Sequence, residues 1–283
     1  MELVRLEIGG EPAWVARTQA GSAPLRIGLD DLLRLSLREA RAAVDAARPA
    51  AGLGGALLAP VESQEVWAAG VTYERSRDGR IEESTEGDVY ERVYTAQRPE
   101  VFFKSTAQRV VADRQSVGVR TDSPWNVPEA ELGLVLNAAG EIFGYVVGDD
   151  VSSRSIEGEN PLYLPQAKVY ERSCALGPGI VPAWAAPTPP FEIALRVQRG
   201  DVVAFEGSAS TASITRRFED LVAWLMAALH FPVGAVLLTG TGIVPDESFS
   251  LRADDVVTID ISGIGTLTNP VVLVGRDLTR EEP

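Results

Sequence analysis

Three carboxylates within one short segment carry the clearest chemical signal in the chain. Residues 129–150 read EAELGLVLNAAGEIFGYVVGDD, two apolar runs about a turn at Ala138-Ala139-Gly140-Glu141. Side chains alternate faces along a strand. A four-residue turn at that place pairs Leu132 with Val147, Leu134 with Tyr145 and Leu136 with Phe143. One face is then continuously apolar, which supports the register. On the other face the same register sets Glu129 opposite Asp150 and Glu131 opposite Gly148. Direct and diagonal neighbours across two strands lie roughly 5–7 Å apart, so the three acids converge. Like charges so placed are destabilising unless a cation sits among them. Oxygen ligands suit a hard divalent ion, Mg2+ first and Mn2+ or Ca2+ next. The competing reading is a solvated polar face on a surface hairpin.

Other reactive side chains are few. Lys104 and Lys168 are the only lysines, so chemistry needing an amine has two candidates. The single cysteine, Cys174, excludes a disulfide framework and a Cys-built zinc site, and suits a small buried residue. The single histidine, His230, follows an apolar helical pattern and suits a structural place near a helix C-terminus. Gly52-Leu53-Gly54-Gly55 lacks the spacing of a dinucleotide fingerprint, and no Gly-Lys-Ser/Thr follows Gly240-Thr241-Gly242, so neither run is a phosphate loop.

The elements that must position these groups are short and turn-rich. In 283 residues there are 26 glycines and 18 prolines, which leans away from an all-helical fold. Residues 3–17 read as two strands about Gly9-Gly10, residues 29–47 as one helix, and residues 48–60 as a small-residue linker. Strands are expected near 65–71 and 101–103, with hairpins over 191–208 and 254–274 and an amphipathic helix over 214–229. The charged run 75–91 suits a lid or a solvated helix. The class is strand-rich α+β, with a small N-terminal domain over 1–60 and a larger one over 61–283. A net charge of −14 without a basic run speaks against nucleic-acid and membrane-surface partners. No apolar run reaches spanning length, and Met1-Glu2-Leu3-Val4-Arg5 lacks a signal-peptide pattern, so the cytoplasm is the expected compartment.

Five ordered motifs resemble the fumarylacetoacetate hydrolase family: Glu129-Ala130-Glu131-Leu132, Asp150-Val151-Ser152-Ser153-Arg154, Gln166-Ala167-Lys168, Leu238-Thr239-Gly240-Thr241-Gly242, and the run from Gly263 to Val271. The resemblance implies a mixed β-sandwich roll, with Mg2+ held by Glu129, Glu131 and Asp150. It also implies a homodimer or homotetramer. Arg98-Pro99-Glu100-Val101-Phe102-Phe103-Lys104, Asp122-Ser123-Pro124-Trp125 and Ile156-Glu157-Gly158-Glu159 are similar to the branch that dehydrates 2-keto-3-deoxy-pentonates. In the family's carbon–carbon hydrolases a histidine follows an Asn-Tyr pair and helps activate water. Here Gly70-Val71-Thr72-Tyr73-Glu74-Arg75-Ser76 puts Ser76 in its place.

What this implies is a metal-dependent dehydratase of a 2-keto-3-deoxy sugar acid, a hydro-lyase acting through an enolate. Lys168 is the expected base, or alternatively a charge clamp. Glu100 is the expected second acid/base, and Thr241, Ser76 and Arg154 the substrate contacts. Acylpyruvate or diketo-acid hydrolysis and oxaloacetate-type decarboxylation use the same enolate chemistry and stay open, as does a non-catalytic binding protein.

Overall fold

Alternating apolar strands determine where the layers form. The computed structural model describes residues 1–74 and 87–276. Its largest sheet has 11 strands. Along the main path they run Gly21–Pro24, Glu11–Thr18, Glu2–Ile8, Cys174–Pro182, Ile142–Asp150, Ala130–Leu136, Ala235–Leu238, Glu65–Gly70 and Glu100–Ser105. A five-stranded sheet packs against it, in the order Val202–Ser210, Glu192–Arg199, Val256–Ile261, Gly265–Val274 and Val117–Arg120. Both sheets are mixed: Ala235–Leu238 runs parallel to Glu65–Gly70, and Gly265–Val274 parallel to Val117–Arg120.

The alternation along Ala130–Leu136 explains both layers. Leu132, Leu134 and Leu136 enter the core between the sheets with Ile193, Leu195, Ile259 and Leu267. Val135 points the other way, into a second core with Phe143, Val146 and the helix residues Leu29, Leu32, Ala40 and Val44. Burying each of the Val, Leu, Ile and Phe side chains among them contributes roughly 1.5–3 kcal/mol. The central hairpin is therefore covered on both faces. This is the expected strand-rich α+β sandwich roll.

The register pairs Leu132 with Val147, Leu134 with Tyr145 and Glu131 with Gly148, as the pattern requires. It slips between Val135 and Leu136, and Leu136 faces Ile142 rather than Phe143. The bulge turns Phe143 into the second core, edge-on to Trp184 at 5.3 Å. The helix expected over 29–47 is two, Leu29–Leu32 and Leu37–Asp45, because Ser36 caps the second and forms a reciprocal box with Glu39. The later helix is shorter than 214–229 and spans Phe218–Met226. The expected linker over 48–60 contains a strand, Ala56–Leu58, paired with Glu2–Ile8. Two further helices, Arg154–Glu159 and Leu164–Lys168, interrupt territory expected to be strands. Among the described residues, no helix is long and apolar enough to cross a membrane.

Candidate active site

The three acids meet at the end of the central hairpin. Glu131 lies on Ala130–Leu136, Glu129 just precedes it, and Asp150 closes Ile142–Asp150. The Asp150 amide donates to the Glu129 carbonyl at 3.0 Å, which holds the two residues opposite one another. All three are buried, and one oxygen of each lies within 4.8 Å of the others. The surface-hairpin reading is thereby corrected: this face is covered, not solvated.

Burial first, then the charges of Asp150 and Glu129, push the Glu131 carboxyl well above the usual carboxylate range. The Gly240 N–H donates to its Oε2 at 2.5 Å and opposes part of that push. A carboxylate strained by two like neighbours, with oxygen donors only, fits a hard divalent cation.

Among the described residues, three cations surround the acids. Lys168 ends the short helix Leu164–Lys168, and its Nζ donates to Glu129 Oε2 at 2.9 Å, Asp150 Oδ2 at 3.1 Å and Ser152 Oγ at 2.6 Å. Three donors thus meet three acceptors. Arg154 opens Arg154–Glu159 and brings Nη2 to 3.0 Å from Glu129 Oε1. Lys104 reaches Asp150 Oδ1 from the opposite side.

A narrow cavity opens onto this cluster. Gly70, Val71, Glu100, Phe102, Glu157, Lys168, Gly240 and Thr241 line it with the three acids. Glu100 lies across Gly70, where an added Cβ would come to 2.1 Å from its Oε2. Val71 holds a φ of 52°, an outlying conformation for a β-branched residue. Hydrogen bonds on the next residue fix that backbone: Thr72 Oγ1 donates to the Thr239 carbonyl at 2.6 Å, and the Thr215 amide donates to the Thr72 carbonyl at 3.0 Å. Thr241 is buried on the cavity wall, with its Oγ1 accepting from the Ile243 amide at 3.1 Å.

Of the residues expected at the site, Glu129, Glu131, Asp150, Lys168, Glu100 and Thr241 line one cavity, and Arg154 stands behind Glu129. Ser76 lies outside the described residues, as does most of the charged 75–91 run. His230 is exposed and Cys174 is buried. Three residues were missed. Glu157 shares the cavity wall. Asp149 accepts from the Glu129 amide at 3.1 Å, and burial pushes its carboxyl up to about 8. Lys104 was noted as an amine but given no place. The visible signal for it is a lone lysine closing an apolar strand, Val101-Phe102-Phe103-Lys104.

The model of the fumarylacetoacetate (FAA) hydrolase C-terminal family matches residues 66–272. A Haloferax volcanii protein described as a probable 2-keto-3-deoxyxylonate dehydratase is 50% identical over 216 residues, 76% of this chain and 74% of its own. The 2-dehydro-3-deoxy-D-arabinonate dehydratase of Saccharolobus solfataricus is 44% identical over 217 residues, 75% of this chain and 73% of its own. A solved 2-keto-3-deoxy-D-arabinonate dehydratase complexed with magnesium and 2,5-dioxopentanoate overlays with a TM-score of 0.88 at 34% identity, covering 98% of this chain and 100% of that one. With its three acids gathered at the hairpin end and most of its length matched in both sequence and shape, the chain belongs to the fumarylacetoacetate hydrolase family.

Proposed function

We propose that the protein is a Mg2+-dependent hydro-lyase that dehydrates a 2-keto-3-deoxy sugar acid, giving 2,5-dioxopentanoate from a pentonate. One observation carries this reading. Glu129, Glu131 and Asp150 lie within 4.8 Å of one another beside the Lys168 amine, in a chain that overlays along its length on a dehydratase solved with magnesium and that product.

A divalent cation held by Glu129, Glu131 and Asp150 would supply Lewis-acid stabilisation of the charge that develops on a 2-keto acid as C3 loses a proton. The chain's own groups do the rest. Lys168 is placed to take the C3 proton once it gives up one of its own. As an ammonium it would instead clamp the substrate carboxylate. Glu100, on the facing wall, is placed to protonate the C4 hydroxyl as it leaves as water. Loss of the C3 proton and the C4 hydroxyl leaves a C3=C4 alkene, and its isomerisation toward C5 turns the terminal alcohol into an aldehyde. Thr241 and the neighbouring amides suit the substrate carboxylate. Arg154 is buried against Glu129, which supports its orienting that ligand rather than touching substrate.

A cytoplasmic setting and a homodimeric or homotetrameric assembly belong to the same reading. So does a division near residue 60, although the N-terminal strands share the large sheet through Leu3 opposite Ile180. The test is NMR of the purified protein with Mg2+ and a panel of 2-keto-3-deoxy acids. A five-carbon substrate should give a five-carbon aldehyde product. Rapid cleavage of an acylpyruvate to pyruvate and a free acid would replace the dehydratase with the hydrolase, and loss of CO2 from oxaloacetate would replace it with the decarboxylase.

A further inference from the structure

We infer that Lys104 is a positioning residue for this reaction: it joins Asp150 and the main chain of Lys168 into one unit, so that a metal ligand and the reacting amine keep a fixed relation. The inference rests on the proposed metal-dependent reading of the site. Lys104 is fully buried and is absent from the cavity wall, so it does not reach substrate. Its Nζ pairs with Asp150 Oδ1, leaving Oδ2 on the side of Lys168 and Glu129. It also donates to the Val151 carbonyl at 3.1 Å and the Lys168 carbonyl at 2.6 Å.

A simple counterion would need only the carboxylate. Here two of the contacts go to main-chain carbonyls, and the shorter one ends on the residue that carries the amine. The helix bearing that amine is only five residues long, so its last carbonyl needs an outside donor. Ser173 Oγ supplies a second one, at 2.9 Å.

The backbone is shaped for the same task. Phe103 pairs with Trp67 and Ser105 with Val66, which leaves Lys104 as the extra residue of a bulge. Bulges re-aim side chains beside active sites. This one sends an ammonium inward at the end of the Glu100–Ser105 strand, whose other end carries Glu100 onto the cavity wall.

The experiment compares the full-length wild type with Lys104→Met and Lys104→Arg. Each is measured for Mn2+ binding by calorimetry, for kcat and KM, and for thermal unfolding. Lys104→Met should bind Mn2+ about tenfold more weakly and lose about 100-fold in kcat with KM little changed, since these are the effects of displaced ligands and amine. Lys104→Arg restores the charge, yet its planar fork does not meet the same three acceptors, so kcat should stay at least about tenfold low. Wild-type kcat in Lys104→Arg would show that charge alone suffices and overturn the inference. Mn2+ binding as tight as wild type in Lys104→Met, with wild-type kcat, would do the same. A wild type that neither binds Mn2+ nor turns over any 2-keto-3-deoxy acid would strike the metal-dependent reading instead.

A measurement on the wild type needs no variant to fold. With ε-13C-lysine the chain shows two side-chain signals, one for each lysine. Both should shift together as Mg2+ is added. A Lys104 signal that stays fixed while that of Lys168 moves would overturn the coupling.

Discussion

The main-chain N–H of Gly240 donates to Glu131 Oε2 at 2.5 Å, tying a site carboxylate to the loop that carries Thr241. That loop follows Ala235–Leu238, the strand paired beside Ala130–Leu136, so neighbouring strands deliver both partners. Gly240 adopts a φ of +89°, and an added Cβ would come to 2.2 Å from Thr72 Oγ1. Gly240→Ala should therefore cost on the order of 1–3 kcal/mol of stability. Denaturant titration reads that loss, and Mn2+ affinity should fall about tenfold with it. An alanine variant with wild-type stability and affinity would show that this amide does not hold Glu131.

Glu131→Gln separates stability from function. The amide keeps an oxygen for the Gly240 N–H and cannot take up the charge that burial and two like neighbours disfavour at this place. Without metal, the variant should melt about 2–4 °C above wild type, the shift expected from roughly 1 kcal/mol in a chain of this size. Added Mg2+ should stabilise wild type and leave the variant unmoved. Scanning calorimetry with and without chelator checks both outcomes.

Lys168→Ala tests the proton transfer. Lys168 contacts two of the site carboxylates, so its removal should leave divalent-ion binding intact or tighter. Exchange of the substrate's C3 proton with D2O, followed by NMR, should slow at least about 100-fold, the usual scale of a lost general base. Exchange at the wild-type rate would assign Lys168 to charge clamping.

The hairpin and its acids were legible because a period of two carries both facts at once. Once Leu132 and Leu134 point inward, Glu129 and Glu131 must share the other face. The same logic failed at Leu136, where a bulge with no residue signature reverses Phe143. It failed again at Lys104, for the same reason. The helices that present Arg154 and Lys168 have 6 and 5 residues, too short to show a 3.6-residue period. Burial of the acid face was also out of reach. It depends on how separate sheets and loops stack, not on any local pattern. By contrast the break at Ser36 was readable: Ser36 and Glu39 have capping-box spacing, but the apolar pattern of residues 29–47 ran across it.

Burial is the chief cause that pushes the Cys174 thiol up to about 12, and the charges of Asp150 and Asp149 add to it while Lys104 opposes. Iodoacetamide at pH 8 should leave the folded protein unlabelled and modify it fully in denaturant. The folded thiol keeps its proton to about 12, whereas an ordinary one releases it near 9. Folding stability should therefore decline as pH climbs through that window, and Cys174→Ala should remove this part of the decline. Labelling of the folded protein at the rate of a free thiol would contradict the burial.

Both lysines are sealed at the heart of the site, and every other Lys or Arg position in the chain is an arginine. A lysine-specific endoprotease then has nothing to cut until the site itself opens. Its rate should report the opening of that one region rather than general fraying, and the denatured chain should fall into three pieces. A bound ion or substrate that favours the closed form should slow cutting in proportion to its concentration over Kd, about 100-fold when present at 100 times its Kd. The enzyme would thus carry its own proteolytic gauge of ligand binding, readable on a gel without any assay of turnover.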